Sequence, residues 1–541
     1  MRIISIILAN TLIFLSTLKD TILFFLCLRN FKQVQFKKFN RLISNNWRTS
    51  FFKSKHDAPV VASKLSLTTW DDYQPYIKQI SKGKTNILTA ERVLLLEPTS
   101  GTTSATKYVP YTKSLKKEFA KAIKPWLAGL YITWPKLLCC TQYWSVSPAG
   151  HAQDITMDIP IGFEQDSEYL GGRLSSVQNS IMAVPASVQN VSDSETWAYI
   201  TAFYLLRDNK LGLISVWHPS FLTILIKKIK DNYTSLVSDI KRGGISIEPR
   251  FLKGFSAHVT RPKPRRAKQL GCYDIHAHGI FEKIWPHLQI ISCWADFLDE
   301  PCLKQLKKLF PTTYFQPKGL IATEGIISFP FGRRLGIPAY RSHYLEFIDA
   351  RNGKLKNLHQ LDVGQKYEVV LTTGGGLYRY MLSDIVQVTG VLKNRLPLLR
   401  FIGKSNYVAD IRGEKVSLQQ VDDIFNVLYQ KYDGINFLML APVVEQSRAF
   451  YSCFINVDNP ADFPFGNLAA DIEMALKNNY HYKYARELNQ LEEVRIFLSP
   501  QNPIQNIVSH LELLGTKKGD IKILPLSNIS NWHTILRGKL L

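Results

Sequence analysis

Glu97-Pro98-Thr99-Ser100-Gly101-Thr102-Thr103-Ser104-Ala105-Thr106-Lys107-Tyr108-Val109-Pro110-Tyr111-Thr112 is the stretch on which the reading of this chain turns. Before it, Val93 to Leu96 is an apolar, β-type run. After it, Leu115, Phe119, Ala122 and Trp126 recur at helical spacing behind two candidate N-caps, Thr112 and Ser114. The predicted order is therefore strand, polar loop, helix. Hydroxyls can donate to phosphate oxygens, Gly101 allows a close backbone approach, and a lysine adds a compact positive charge. The spelling lacks the Gly-Lys-Ser/Thr ending of the Walker loop. Composition alone leaves a phosphate cradle and a plain Ser/Thr turn side by side.

The chain has 541 residues, more than one core usually holds, so two or more domains are expected. A formal charge of +23 suits anionic partners. The basic residues are scattered, however, and no nucleic-acid motif accompanies them. Seven cysteines without a Cys-x-x-Cys pair argue for a reducing compartment and against a disulfide framework or zinc site. At the N-terminus, Ile3 to Leu18 resembles a signal core without an Ala-x-Ala cleavage site. A single span to Leu28 would put Lys19 and Asp20 in hydrocarbon. A packed or peripheral helix is the first reading, a membrane-associated helix the second and a signal or anchor the third, with Arg29, Lys32, Lys37, Lys38 and Arg41 suiting a membrane surface.

Alternating strand and helix patterns along the middle of the chain predict an α/β layer fold. Arg261-Pro262-Lys263-Pro264-Arg265-Arg266 reads as a solvated loop because of its prolines, and His276-Ala277-His278 lacks companions for a metal. Gly319 to Gly325 reads as an apolar strand ending in Thr323-Glu324, where a carboxylate suits Mg²⁺ against phosphate oxygens. Lys366 to Thr372 is a strand, followed by Gly374-Gly375-Gly376, by itself as easily a flexible turn, and by Tyr378 to Asp384. Ser417-Leu418-Gln419-Gln420 reads as a capping box that opens a helix with Leu418, Val421, Phe425 and Leu428 on its core face. Strands and helices beyond it predict a second, smaller α/β unit.

Four of these stretches together match one pattern in order. Thr99 to Lys107 resembles the phosphate loop of acyl-adenylate-forming enzymes, Ala322-Thr323-Glu324 their Mg²⁺ and phosphate motif, Tyr378 to Asp384 their ribose motif, and Arg400 to Lys415 their hinge. The spelling of Glu97 to Phe119, Leu288 to Phe310, Gly319 to Pro330, Tyr378 to Asp384 and Phe401 to Lys415 resembles the auxin-responsive acyl acid amido synthetase family, in the version found beyond plants.

That resemblance implies an N-terminal helix region at 1–34, a large nucleotide- and acyl-binding domain at 35–403 and a mobile C-terminal domain at 404–541. It implies ATP and Mg²⁺, a small carboxylic acid, and an amine or amino acid as acceptor, with no nucleic acid. Ser100, Gly101, Thr102 and Thr103 would wrap the ATP phosphates and Lys107 would close the loop. Thr323 would bond the adenylate phosphate, Glu324 would hold Mg²⁺, and Tyr380 and Asp384 would bind the nucleoside, Asp384 through the ribose hydroxyls. Lys404 falls at the hinge where the family usually has arginine, and Lys522 falls in a segment, Gly519 to Lys522, that brings a lysine to adenylation. Two further departures are Ser104 and Ser383, each where glycine is usual; the three bear on turnover more than on nucleotide binding. The implied protein is a cytoplasmic amide-forming ligase, with membrane association through the N-terminus a second possibility. The alternatives are an acyl-CoA-type thioester ligase and a catalytically degenerate membrane-surface or interaction protein of the same fold.

Overall fold

Four parallel strands form the first layer of the computed structural model, in the order Thr141–Trp144, Leu211–Ser215, Ile290–Cys293 and Tyr314–Pro317. Parallel neighbours need crossovers, and the intervening chain supplies helices, among them Ser194–Arg207, Tyr233–Arg242 and Pro264–Gly271. The structure describes residues 2–54, 65–99, 107–145, 159–161, 172–191, 193–246, 260–294, 301–393, 395–405, 407–445, 448–514 and 521–541.

Two compact units divide the chain. One comprises Met1–Trp217, Leu225–Asp296 and Leu309–Phe401; the other comprises His218–Ile224, Phe297–Lys308 and Ile402–Leu541. A mostly antiparallel layer of five strands also builds on the first unit, ordered Leu355–Asn357, Tyr344–Asp349, Lys366–Thr372, Tyr380–Leu392 and Leu396–Lys404. In the second unit the sheet runs Ile435–Glu445, Arg448–Val457, Arg495–Leu498, Lys539–Leu540. Its side chains alternate between two cores: Leu438, Leu440, Ile496 and Leu498 pack on one face, while Phe437, Met439, Ala441 and Phe497 pack on the other. Leu418, Val421, Phe425 and Leu428 fill the first of these cores. The predicted capping box is only half made. Ser417 accepts from the Gln420 N–H at 3.2 Å, but the Gln420 side chain turns to the Leu476 carbonyl, at 3.3 Å, and to Asn479.

The N-terminal helix, Arg2–Leu26, belongs to the first unit. Its Asn10 amide donates to the carbonyls of Leu138 and Cys140 at 3.1 and 2.9 Å, and its oxygen accepts from Tyr131 and Gln142. Asp20 pairs with Lys124 at 2.9 Å.

The basic run at Arg261 corrects a sequence expectation. Pro264 opens the helix Pro264–Gly271, where a missing N–H costs nothing. Three donors from this region close the C-terminal end of Ser194–Arg207: Lys263 Nζ reaches the Arg207 carbonyl at 3.1 Å, Arg266 Nε the Leu206 carbonyl at 3.0 Å, and Trp285 Nε1 the Leu205 carbonyl at 2.9 Å. Cations suit the carbonyl end of a helix, so Lys263 and Arg266 have a structural role, while Arg261, Pro262, Pro264 and Arg265 stay exposed to solvent as expected.

Candidate active site

The opening stretch folds as a β-hairpin. Val93–Pro98 pairs antiparallel with Tyr108–Thr112, with Glu97 opposite Val109 and Pro98 opposite Tyr108. A second strand thus stands between loop and helix, where the sequence suggested strand, loop, helix. The pattern Tyr108-Val109-Pro110-Tyr111-Thr112 is short and interrupted by proline, which hid it. Thr99 N–H donates to the Lys107 carbonyl at 2.8 Å, so these two residues form the neck of the loop. Ser100, Gly101, Thr102, Thr103 and Ser104 lie outside the described residues. The Lys107 ammonium stands 5.9 Å from the centroid of the Trp70 ring. Thr112 is the N-cap of Lys113–Thr133, accepting from the Leu115 N–H at 3.1 Å, and Leu115, Phe119, Ala122 and Trp126 are buried on that helix.

Thr323 and Glu324 form the two-residue turn between Ile321–Ala322 and Gly325–Ile326. They sit at a hairpin tip, not at the end of a parallel strand as the apolar run suggested. The hairpin of Val93–Pro98 and Tyr108–Thr112 reaches this turn directly, because the Tyr111 hydroxyl donates to the Thr323 carbonyl at 2.6 Å. Glu324 is buried. Gly325 has no space for a Cβ, which would fall 2.9 Å from Leu371 and 3.0 Å from the His343 ring.

Tyr380 begins the strand Tyr380–Leu392, and the pairing with Lys366–Thr372 slips where Met381 faces Val370 but Ile385 faces Glu368. Ser383 lies inside this bulge at φ 64°, a left-handed conformation that a glycine adopts freely. Asp384, which follows it, is buried. Burial first, then the nearby charges of Glu324, Tyr73, Asp384 and Asp71, raises the Tyr380 phenol far above its ordinary range. Tyr380 is therefore a neutral hydroxyl within electrostatic reach of Glu324 and Asp384.

The triple glycine is a packed turn. A Cβ on Gly374, Gly375 or Gly376 would meet Ser114 at 2.8 Å, the Pro110 carbonyl at 2.6 Å or Leu88 at 2.7 Å. Thr112 donates to the Gly374 carbonyl at 2.8 Å, and the Gly374 N–H donates to Glu118 at 2.9 Å.

Glu118 is a residue that sequence reasoning missed. Besides Gly374 it takes Lys38 at 2.9 Å and His343 Nδ1 at 3.1 Å. Burial pushes its carboxyl up, but Lys38, His343 and the Gly374 N–H outweigh that and hold it at about 2. Burial also lowers His343, against the pull of Glu118, so the imidazole is neutral and donates. One ionised carboxylate thus ties the glycine turn to His343, whose ring abuts Gly325 beside Glu324. A lone Glu on the polar side of a helix carries no signal of this, because all three partners are distant in sequence.

In the second unit, Lys404 ends the strand Leu396–Lys404 and is half-buried. The turn that follows is knit by Glu414, which accepts from the N–H groups of Ile411 and Arg412 at 2.9 and 2.7 Å and from the Tyr451 hydroxyl. Lys522 is exposed and follows buried Ile521, whereas Gly519 and Asp520 lie outside the described residues. Lys522 comes within electrostatic reach of His218, whose imidazole is brought down to about 3 by burial first and by that lysine second. No group of three or more His, Cys, Asp or Glu stands ready to cage a metal among the described residues. Glu324 is instead a single hard oxygen donor, the kind Mg²⁺ uses together with phosphate oxygens and water.

Comparison with known proteins places this arrangement. A model of the GH3 family N-terminal domain matches residues 24–315, and one of the GH3 family central domain matches residues 336–404. Two Arabidopsis thaliana relatives are an indole-3-acetic acid-amido synthetase, GH3.10, and a 4-substituted benzoates-glutamate ligase, GH3.12. The first is 25% identical over 67% of this chain and 67% of its own length, the second 22% over 74% and 73%. Among solved structures, the GH3.15 acyl acid amido synthetase superposes with a TM-score of 0.79 at 16% identity over 95% of both chains. A 2-hydroxyisobutyryl-CoA ligase bound to its acyl-AMP reaches 0.54 at 9% identity, over 93% of this chain and 90% of its own. The two likenesses share the two-domain adenylate-forming fold, and with the family domains covering most of the sequence, the chain belongs to the GH3 family.

Proposed function

We propose that this protein is an ATP-dependent ligase that activates a carboxylic acid as an acyl-AMP and passes the acyl group to an amine, an amino acid, to form an amide. The observation that carries the reading is the gathering, in one unit of a GH3 chain, of the Thr323-Glu324 turn, neutral Tyr380 and buried Asp384, with Thr323 bonded to Tyr111 of the hairpin that carries a Ser/Thr/Gly/Lys loop. A relative named for joining benzoates to glutamate favours an amino acid as acceptor.

In the first half-reaction a carboxylate oxygen of the acid attacks the α-phosphorus of ATP, and pyrophosphate leaves. In the second an amine nitrogen attacks the acyl carbon, loses its proton, and AMP leaves. Ser100, Gly101, Thr102 and Thr103 hold the phosphates with hydroxyl and backbone donors, with Lys107 at the neck of their loop. Thr323 bonds the adenylate phosphate, Tyr380 donates its phenol proton toward the nucleotide, and Asp384 accepts from the ribose hydroxyls. Glu324 suits Mg²⁺, which when bound supplies charge neutralisation at the phosphates. Lys404 and Lys522 belong to the unit that swings between the half-reactions, Lys522 serving adenylation. The reaction is placed in the cytoplasm, in keeping with the cysteine usage.

The test is acid-dependent exchange of labelled pyrophosphate into ATP across a panel of aryl and alkyl carboxylic acids, with and without Mg²⁺. Exchange that requires both an acid and Mg²⁺ is expected. Nucleotide binding without exchange for any acid would overturn the reading.

A further inference from the structure

The N-terminal helix is apolar outside as well as inside. Its buried face combines Ile6, Ala9, Ile13 and Phe24 with Asn10, Thr17 and Thr21, whereas Ile4, Leu8, Leu12, Leu15, Ile22 and Leu26 are each 54–69% exposed. Those six recur at intervals of three, four or seven residues, so they line one outward stripe about 30 Å long. Scattered exposed leucines are ordinary; a stripe of six on one surface helix, broken only by the exposed Lys19, is not. The helix Phe31–Asn46 continues the run and exposes Phe36, 61% accessible, among Lys32, Lys37 and Arg41. Residues 1–50 contain eight lysines and arginines against a single acid, Asp20, which Lys124 already neutralises.

We propose that this face docks the protein on an anionic lipid bilayer, the apolar stripe entering the boundary between headgroups and acyl chains and the basic residues of Phe31–Asn46 meeting the lipid charge. The charge selects the occupant. A second copy of this chain laid on the stripe would set Arg29, Lys32, Lys37 and Arg41 against their own kind, whereas an anionic surface complements them. The helix run is long and apolar enough to cross a membrane. Its inner face, however, is committed to the fold: Asn10 bonds Leu138, Cys140, Tyr131 and Gln142, and Asp20 pairs with Lys124. It therefore lies on a bilayer rather than through one. The proposal stands apart from the ligase reading and places a soluble-substrate site at a surface where amphiphilic acids concentrate.

The experiment is co-sedimentation of the purified full-length chain with phosphatidylcholine vesicles, with or without about one third phosphatidylglycerol, at low and high salt. Binding at low salt at least about tenfold stronger to the anionic vesicles is expected, with most of it lost in high salt. Leu8→Gln/Leu12→Gln/Leu15→Gln, at sites already exposed, should abolish binding with an unchanged thermal melt, and Lys32→Glu/Lys37→Glu/Arg41→Glu should do the same. Equal binding to neutral vesicles, or full binding by the leucine variant, would overturn the proposal. So would a wild-type dimer that the leucine substitutions dissolve without any vesicle binding, or membrane-bound protein that resists alkaline carbonate extraction as a spanning helix does.

Discussion

The two units carry the candidate site residues in opposite ways. In the first, Glu324 and Asp384 are buried carboxylates on a two-residue turn and in a β-bulge, held beside a neutral phenol. In the second, Lys404 closes a strand and Lys522 is exposed next to Ile521, which packs into one of the two cores of the sheet. A carboxylate that must meet a ribose or a metal at a defined angle works best where water does not screen it and the backbone cannot drift. A lysine on a flexible four-carbon stem needs only reach, which suits a unit that moves. On the proposed function, the first unit would preorganise the adenylate and the second would deliver its lysines.

The contrast can be broken most forcefully at Glu324. Glu324→Gln keeps the shape and removes the charge, and acid-dependent exchange should fall by roughly 1,000-fold with the melting temperature preserved. Lys522→Ala should slow adenylation by about 100-fold while a preformed acyl-adenylate still reacts with amine at nearly the normal rate, measured in single turnover. Equal losses in both half-reactions would deny the lysine a delivery role.

Preorganisation itself is tested at Glu118. Glu118→Gln strands Lys38 without its counter-charge, and the unit should lose about 2–3 kcal/mol in chemical denaturation, less than a fully buried pair because Lys38 keeps 15% exposure. Its KM for ATP should rise as the glycine turn loosens. The second unit should respond instead to pH. Folded His218 stays neutral down to about 3, whereas the unfolded chain takes that proton below about 6.5. Its contribution is complete above that range and lost at up to ~1.4 kcal/mol per pH unit as pH falls toward 3. His343, lowered in the same direction, adds to the loss in the first unit. The smallest effect is expected at Ser383→Gly, which relieves a left-handed serine and should stabilise by about 1 kcal/mol while leaving exchange intact.

Short-range patterns made part of this legible. The helix Lys113–Thr133, its Thr112 cap, the strand Lys366–Thr372 and the core face of Leu418–Lys431 all follow from periodicity and capping, and the structure has each. The family could be read because its motifs are contiguous. Long-range geometry could not be read. Nothing in the spelling of Glu118, Lys38 and His343 links residues 80 to more than 300 positions apart, and the packing that makes Gly374 to Gly376 a tight turn comes from Leu88, Pro110 and Ser114. The Arg261 run is legible only in part: Arg261 to Lys263 are irregular, but Pro264 is the first residue of a helix, where proline is favoured. Ser383 is the instructive middle case: its departure from glycine is visible in sequence, but only the bulge shows that the position demands φ above zero.

The central claim, that a preorganised adenylate site feeds an amide bond, is tested most directly by mass spectrometry of a single turnover. The purified chain is mixed with ATP, Mg²⁺ and an acid that supports exchange, and is then offered an amino acid mixture or coenzyme A. Enzyme-bound acyl-AMP is expected before the acceptor is added, then N-acyl amino acid and AMP in equal amounts with the amino acids. ADP in place of AMP, or a thioester with coenzyme A and no amide, would contradict it.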